Sequence, residues 1–209
     1  MRILLLGATG LVGSHVLGLA LRDANVEEVI APVRRAIAEH SGLRAPIVDF
    51  ENLDERPDLW ACDAVICCLG TTIKAAGARE KFYRVDHDYP VEIARRARRA
   101  GASIFVLNSA KGAGEKSSIF YSRVKGEIER DILAIGFDST VIVRPGLIDG
   151  QRGEPRPLER AGILISRALA PLLPRGLRLN PAAKIAKAML KAALSKPPGV
   201  TIIASEELV

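Results

Sequence analysis

Three glycines spaced three apart, Gly7, Gly10 and Gly13, interrupt an apolar run in Leu-Leu-Leu-Gly-Ala-Thr-Gly-Leu-Val-Gly, residues 4–13. The leucines suit a short buried strand, and an amphipathic stretch follows directly. At a strand-to-helix turn, glycine permits a tight bend and a close approach of the backbone to a pyrophosphate. The third glycine lets the helix lie near the sheet. The helix start also carries unpaired N–H groups and a positive dipole end, which attract an anion. Gly7, Thr9, Gly10, Leu11, Val12 and Gly13 thus form a candidate phosphate cradle for a dinucleotide. A ligand-free turn could use the same glycines; their position between a strand and a helix favours the ligand. A second group lies far along the chain. Tyr121 and Lys125 are four apart on a helical stretch and share one face. A free phenol, with a pKa near ~10, is a poor base at neutral pH. A neighbouring ammonium favours its phenolate. Such a pair can pass a proton to a carbonyl oxygen or remove one from an alcohol. A half-buried Tyr beside a Lys is otherwise an ordinary helix pair.

Apolar runs alternate with helical stretches in a βαβ rhythm, which predicts an α/β protein with a doubly wound parallel sheet. Strands are expected at 2–6, 28–33, 45–48, 64–68, 103–107 and 140–143, with a further C-terminal strand near 200–204. Helices are expected from 11 to about 23, near 85–100, and from about 118 to 135 with Gly136 as its cap. Right-handed crossovers predict the Rossmann order 3-2-1-4-5-6. Pro32 argues for an early end to the second strand, because it donates no ladder hydrogen bond. Residues 70–80 read as a loop over the cofactor. Residues 149–180 read as a small substrate-side cap, with a dimer face or a membrane-surface helix as alternatives. The 209 residues read as one domain, without repeat or linker.

The end of the second strand bears on cofactor choice. An NAD site usually places Asp or Glu there to bind the ribose hydroxyls. Here the chain reads Ala31-Pro32-Val33-Arg34-Arg35. Two guanidiniums suit a 2′-phosphate through forked, charge-assisted hydrogen bonds, so the expected cofactor is NADP(H). Asp49 and Phe50, after the third strand, are placed to border the adenine. Leu69, Gly70 and Thr71, after the fourth, lie on the expected path of ribose and pyrophosphate. Lys74 is within reach of the cofactor, though the sequence does not decide its use.

Composition excludes several classes. The net charge of +6 is modest and scattered. Its densest cluster, Arg95-Arg96 and Arg98-Arg99, lacks interleaved aromatics and reads as a solvated helix face, not a nucleic-acid patch. Cys62, Cys67 and Cys68 fall in or beside one apolar run and read as small buried hydrophobes. No Cys/His spacing suits a metal. The histidines at 15, 40 and 87 have no Gly-x-Ser-x-Gly partner for hydrolase chemistry. The N-terminal apolar stretch stops at Gly7, too short for a signal peptide, and no run has membrane-spanning length. These points lead to an expected cytoplasmic location.

The Gly-x-x-Gly-x-x-Gly loop, the Tyr-Ser-Arg-Val-Lys of 121–125 and Asn108-Ser109 after an apolar run resemble the extended and atypical short-chain dehydrogenase/reductase superfamily. The stretches 67–72 (Cys-Cys-Leu-Gly-Thr-Thr), 85–90 (Val-Asp-His-Asp-Tyr-Pro) and 116–121 (Lys-Ser-Ser-Ile-Phe-Tyr) look like the Tat-interacting-protein-like oxidoreductases and their bacterial relatives. The likeness spans nearly the whole chain. It implies Tyr121 as proton donor, Lys125 as its tuner and a ligand of the nicotinamide ribose, and Ser109 as holder of the substrate carbonyl. It also implies that Pro145-Gly146 turns beside the nicotinamide. Ser117 and Ser118 stand nearer Tyr121, where a serine commonly caps a helix. The expectation is an NADPH-dependent oxidoreductase acting on a small carbonyl or quinone-like substrate. The alternative is an NADPH-binding sensor that acts through a protein partner, with or without homodimer formation. Epimerase chemistry is disfavoured by the short C-terminal half.

Overall fold

The computed structural model describes residues 1–53, 57–149 and 178–209. In chain order the elements are β1 (Arg2–Leu6), α1 (Leu11–Ala20), β2 (Glu28–Ile30), β3 (Leu43–Arg44), α2 (Pro57–Trp60), β4 (Ala64–Cys67), α3 (Ile73–Ala76) and α4 (Arg79–Tyr83). A π-helical turn, Arg84–Asp88, leads into α5 (Tyr89–Arg99), then β5 (Ile104–Asn108), α6 (Phe120–Ile135), β6 (Ser139–Arg144) and β7 (Ile148–Asp149). The chain closes with β8 (Asn180–Pro181), α7 (Ala182–Ser195), β9 (Gly199–Ala204) and a short 3-10 turn. The seven-stranded sheet runs β3-β2-β1-β4-β5-β6-β9, and every pair is parallel. The Rossmann order with an added C-terminal strand is therefore the observed one.

Strand alternation builds the two layers. On one face Ile3, Leu5, Ile66, Val106 and Val141 pack with Val12 and Val16 of α1 and Ala186 and Met189 of α7. On the other, Leu4, Leu6, Val65, Phe105 and Leu107 pack with Ile93 and Ala97 of α5 and Ile128 and Ile132 of α6. A sheet covered on both faces explains its nearly continuous apolar strands. Among the described residues no helix is long and apolar enough to cross a membrane.

The structure corrects several expected boundaries. The second strand stops at Ile30, although Val33 still forms a parallel bridge with Ile47. The N–H groups of Val29, Ala31 and Val33 all donate towards the third-strand side, to Gly42, Arg44 and Pro46. Alternation turns Pro32 towards β1, beyond the last pair Leu4–Ile30, where no donor is required. The third strand is Leu43–Arg44, earlier than the expected 45–48. Residues 70–80 are not a plain loop, since Thr72 Oγ1 accepts from Ala75 N–H at 3.1 Å and caps α3. The helix expected at 85–100 instead begins at Arg79 and passes through the π turn. Pro90 supplies the reason: it has no N–H, and its ring crowds the carbonyl four residues back. The Tyr89 N–H accordingly reaches back five residues to Arg84 O. Helix α7 has no counterpart among the expected elements. Gly136, at φ +76°, does cap α6 in the left-handed conformation. The cap proposed for 149–180 falls mostly on residues 150–177, outside the described residues.

Candidate functional site

All main-sheet strands point the same way, so the segments leaving β1 to β6 gather on one edge. The strand order reverses between β1 and β4, the switch point at which sheets of this kind receive their ligands. Gly7 lies there at φ +78°, and a Cβ on it would sit 2.7 Å from the Cys68 carbonyl carbon. The turn continues with Gly10 N–H donating to Gly7 O at 2.9 Å. Helix α1 has no side-chain cap and no acid in its first turn. Its first internal hydrogen bond is Ser14 N–H to Gly10 O, so the N–H groups of Leu11, Val12 and Gly13 precede the ladder. A Cβ on Gly13 would stand 2.0 Å from Gly7 O. Only a hydrogen fits there. The turn therefore has the close approach and free donors that a pyrophosphate needs, and these residues fit a dinucleotide.

Arg34 and Arg35 follow the Val33 bridge and are exposed, with no ion pair among the described residues. Asp49 is also exposed and is spent locally, accepting from Asn52 Nδ2 at 3.0 Å and Glu51 N–H at 2.9 Å. Those two bonds, the Asn52 one foremost, hold its carboxyl below the usual range. The Phe50 ring lies 5.7 Å from that of Tyr89.

Around β4, β5 and β6 the edge is made of paired charges. Lys125 Nζ contacts Asp86 Oδ1 at 2.8 Å, with side-chain exposures of 5% and 1%. Asp86 Oδ2 accepts from Thr71 N–H at 2.8 Å. Burial opposes the Lys125 charge, but the Asp86 carboxylate, with Tyr121 adding to it, outweighs that cost and raises the Lys125 pKa. Lys125 Nζ also lies 6.0 Å from the Tyr121 ring centroid. Tyr121 is 38% exposed at the start of α6 and packs on buried Phe82. The expected Tyr–Lys pair is thus assembled, and Asp86 joins it to Gly70 and Thr71.

Ser109 is buried at the end of β5, and its hydroxyl donates to Glu129 Oε1. Glu129 lies one turn beyond Lys125 on α6 and is forked by Arg144, with Nε at 3.0 Å from Oε1. Pro145 O accepts from Lys111 N–H at 2.7 Å, and Gly146 N–H donates to buried Asn180 Oδ1 at 2.6 Å. Asn108 Oδ1, also at the β5 end, is buried and unpartnered among the described residues. Ser117 does not cap α6; Ile119 holds the N-cap position, and Ser117 Oγ instead accepts from Ile119 N–H at 3.2 Å. Ser118 makes no cap bond either, because α6 begins after Ile119 with no side-chain cap. Lys74 is exposed on α3. Burial pushes the Cys67 thiol up to about 11 and the Cys62 thiol up to about 12, so neither is poised as a nucleophile.

Sequence reasoning missed Asp86, Glu129 and Arg144. Two signals were present: Pro90 inside a helical stretch, and Glu129 eight residues from Tyr121 on the same face. The π turn also brings successive Asp86 and His87 against α6. His87 Nε2 is 3.0 Å from Asp131 Oδ2, and its Nδ1 is 2.9 Å from Asp88 Oδ1.

Residues 3–131 match the NAD dependent epimerase/dehydratase family. The chain belongs to that family. The fold agrees with the extended short-chain dehydrogenase/reductase superfamily. A relative named protein fmp52-1, mitochondrial, from Aspergillus terreus is 39% identical over 99% of this chain and 93% of its own length. Among solved structures, MoeE5 in complex with UDP-glucose and NAD superposes with a TM-score of 0.73 at 18% identity, covering 98% of this chain and 75% of that one. A short chain dehydrogenase family protein from Francisella tularensis superposes with a TM-score of 0.65 at 16% identity, covering 99% and 98% of the two chains. At these identities the likeness is one of fold. The expected cytoplasmic location is overturned by the names of the sequence relatives, including those from Aspergillus fumigatus and Eremothecium gossypii, which are mitochondrial. A short N-terminal apolar run, buried thiols and the lack of a membrane-length run do not separate the cytoplasm from a mitochondrial compartment.

Proposed function

We propose that this protein is an NADPH-dependent oxidoreductase that reduces a small carbonyl or quinone-like substrate. The observation that carries the reading is the Tyr121–Lys125 pair, built on one helix face and tied through Asp86 to Thr71 after β4. Residues 1–209 are read as one domain, because the first strand and the last named one belong to the same sheet.

In this reading the N–H groups of Leu11, Val12 and Gly13, with Gly7, Thr9 and Gly10, hold the pyrophosphate. Arg34 and Arg35 bind the 2′-phosphate, Asp49 and Phe50 border the adenine, and Leu69, Gly70 and Thr71 line the path between. Lys125 holds the nicotinamide-side ribose, and Pro145 closes that end. When bound, the reduced nicotinamide supplies the hydride. Tyr121 then gives its phenolic proton to the substrate oxygen, and the Lys125 ammonium favours the phenolate left behind. Ser109 holds the carbonyl by turning its hydroxyl proton from Glu129 to the substrate. Glu129 tolerates that loss because Arg144 continues to fork its carboxylate.

The experiment pairs a panel of quinones, aldehydes and ketones with NADPH absorbance, for the wild type and Tyr121→Phe. The variant is expected to keep NADPH binding and to lose turnover by about 10²–10⁴-fold. Wild-type turnover in Tyr121→Phe would remove the catalytic assignment. NADPH binding without turnover of any substrate, together with NADPH-dependent capture of a protein partner, would favour a sensor.

A further inference from the structure

The Asp86–Lys125 pair has a feature that ordinary helix-to-helix ion pairs lack. It lies beneath a glycine. Gly70 is exposed, and a Cβ built on it would stand 3.3 Å from Asp86 Oδ1 and 3.9 Å from Lys125 Nζ. With a hydrogen in place of a side chain, a ligand crossing Gly70 comes close to both charges. Asp86 is itself nearly inaccessible, and both its oxygens are engaged, one by Lys125 and one by Thr71 N–H. Its charge is therefore fixed in position and poorly screened by solvent.

We propose that Asp86 is a positioning residue that biases the site towards the oxidised form of the dinucleotide, and thereby favours hydride donation. This rests on the reading that the nicotinamide end lies beside Tyr121 and Lys125. In that reaction two electrons and one proton leave the nicotinamide as hydride and bond to the carbonyl carbon. The Tyr121 proton bonds to the oxygen, and solvent later returns a proton to the phenolate. The product is an alcohol, and the nicotinamide ring has gained a positive charge. A lone buried ammonium at Lys125 would oppose that charge. The Asp86 carboxylate, 2.8 Å from Nζ, offsets the ammonium on the side facing Gly70 and leaves the developing cation unopposed there. Asp86 thus serves two ends: it places Nζ beside Tyr121, and on the Gly70 side, where Oδ1 stands nearer than Nζ, it offsets the field that Nζ would otherwise impose on the dinucleotide.

A purely structural role predicts something different. Damage to the Lys125 position would weaken the binding of both redox forms alike. The decisive quantity is therefore the ratio of affinities for the oxidised and reduced forms, which needs no substrate. Calorimetric titration of the full chain with NADP+ and NADPH, and with NAD+ and NADH, measures it. Asp86→Asn is expected to lower the oxidised-to-reduced affinity ratio by about tenfold relative to the wild type. Asp86→Glu, which keeps the charge, is expected to remain within about threefold of the wild-type ratio. An unchanged ratio in a folded Asp86→Asn that still binds would overturn the proposal. If Asp86→Asn does not fold, Asp86→Ser removes the charge and still offers an acceptor to Thr71 N–H. If that also fails, a wild-type preference of tenfold or more for the reduced form counts against the proposal. A wild type that binds none of the four dinucleotides would instead overturn the functional reading beneath it.

Discussion

Around β1 and β2 the ligand edge of the sheet is made of main chain and solvated charge. Gly7, Gly10 and Gly13 leave room for backbone donors, and Arg34 and Arg35 extend without ion-pair partners among the described residues. Around β4, β5 and β6 the same edge is made of polar side chains that hold one another, all buried except the one-third exposed Arg144: Asp86 with Lys125, and Ser109 with Glu129 and Arg144. The first region is ready for an anion because little stands in the way. The second is ordered in advance, and its charges are balanced before any substrate arrives. One suits binding of a phosphate-rich cofactor, and the other suits a proton transfer that needs fixed geometry.

The contrast can be broken most severely at its backbone side. Gly13→Val would drive a branched side chain into Gly7 O, which lies only 2.0 Å from where the new Cβ would stand. Dinucleotide affinity should fall by about a thousandfold or more, corresponding to roughly 4 kcal/mol. Titration checks this, with circular dichroism to confirm the fold; undiminished binding in folded protein would place the pyrophosphate elsewhere.

The paired side gives the next largest effect, and there it should appear as stability. Glu129→Ala leaves Arg144 and the Ser109 hydroxyl without their shared acceptor. Breaking a buried pair costs about 3–5 kcal/mol, and because Arg144 is one-third exposed, about 2–3 kcal/mol is expected here. Urea denaturation measures the loss. A change below about 0.5 kcal/mol, the range of ordinary surface substitutions, would mean that the network contributes no rigidity.

The smallest effect is expected at the solvated arginines. Arg34→Ala or Arg35→Ala should each reduce the preference for NADPH over NADH by about tenfold while sparing NADH affinity. Neither change should alter the melting temperature, since neither side chain is paired among the described residues. Equal NADPH and NADH affinities in the wild type would remove the 2′-phosphate assignment.

The same division explains what could be read from the chain. The glycine turn and the Tyr121–Lys125 pair are local patterns, complete within a few residues, and the βαβ rhythm orders the sheet through the handedness of its crossovers. Ser109–Glu129 and Glu129–Arg144 join residues 20 and 15 apart, and only tertiary packing brings them together. Asp86 is hidden by a different cause. The pattern suggests a regular helix through Pro90, whereas the π turn that points Asp86 and His87 at α6 follows from that proline. Helix α7 was legible in principle: exposed Lys184, Lys187 and Lys191 mark its solvent face at helical spacing, and Ile185, Ala186, Met189 and Ala193 mark the buried face on the α1 side of the sheet.

One packing detail limits how the molecule can be altered. A Cβ on Gly126 of α6 would collide with the main chain of Gly114 and Glu115, at 2.2 Å, and Gly114 N–H donates to Ser122 O at 3.0 Å. The connection between β5 and α6 is thereby pinned at its middle as well as at its ends. Its length is effectively quantised: an added residue before Gly114 displaces the span next to Ser109, and one after it displaces the span leading to Tyr121. For an engineer inserting a tag or a reporter loop, this connection is closed ground. The exposed stretch after Arg35, which carries no such clamp among its described contacts, is the open one.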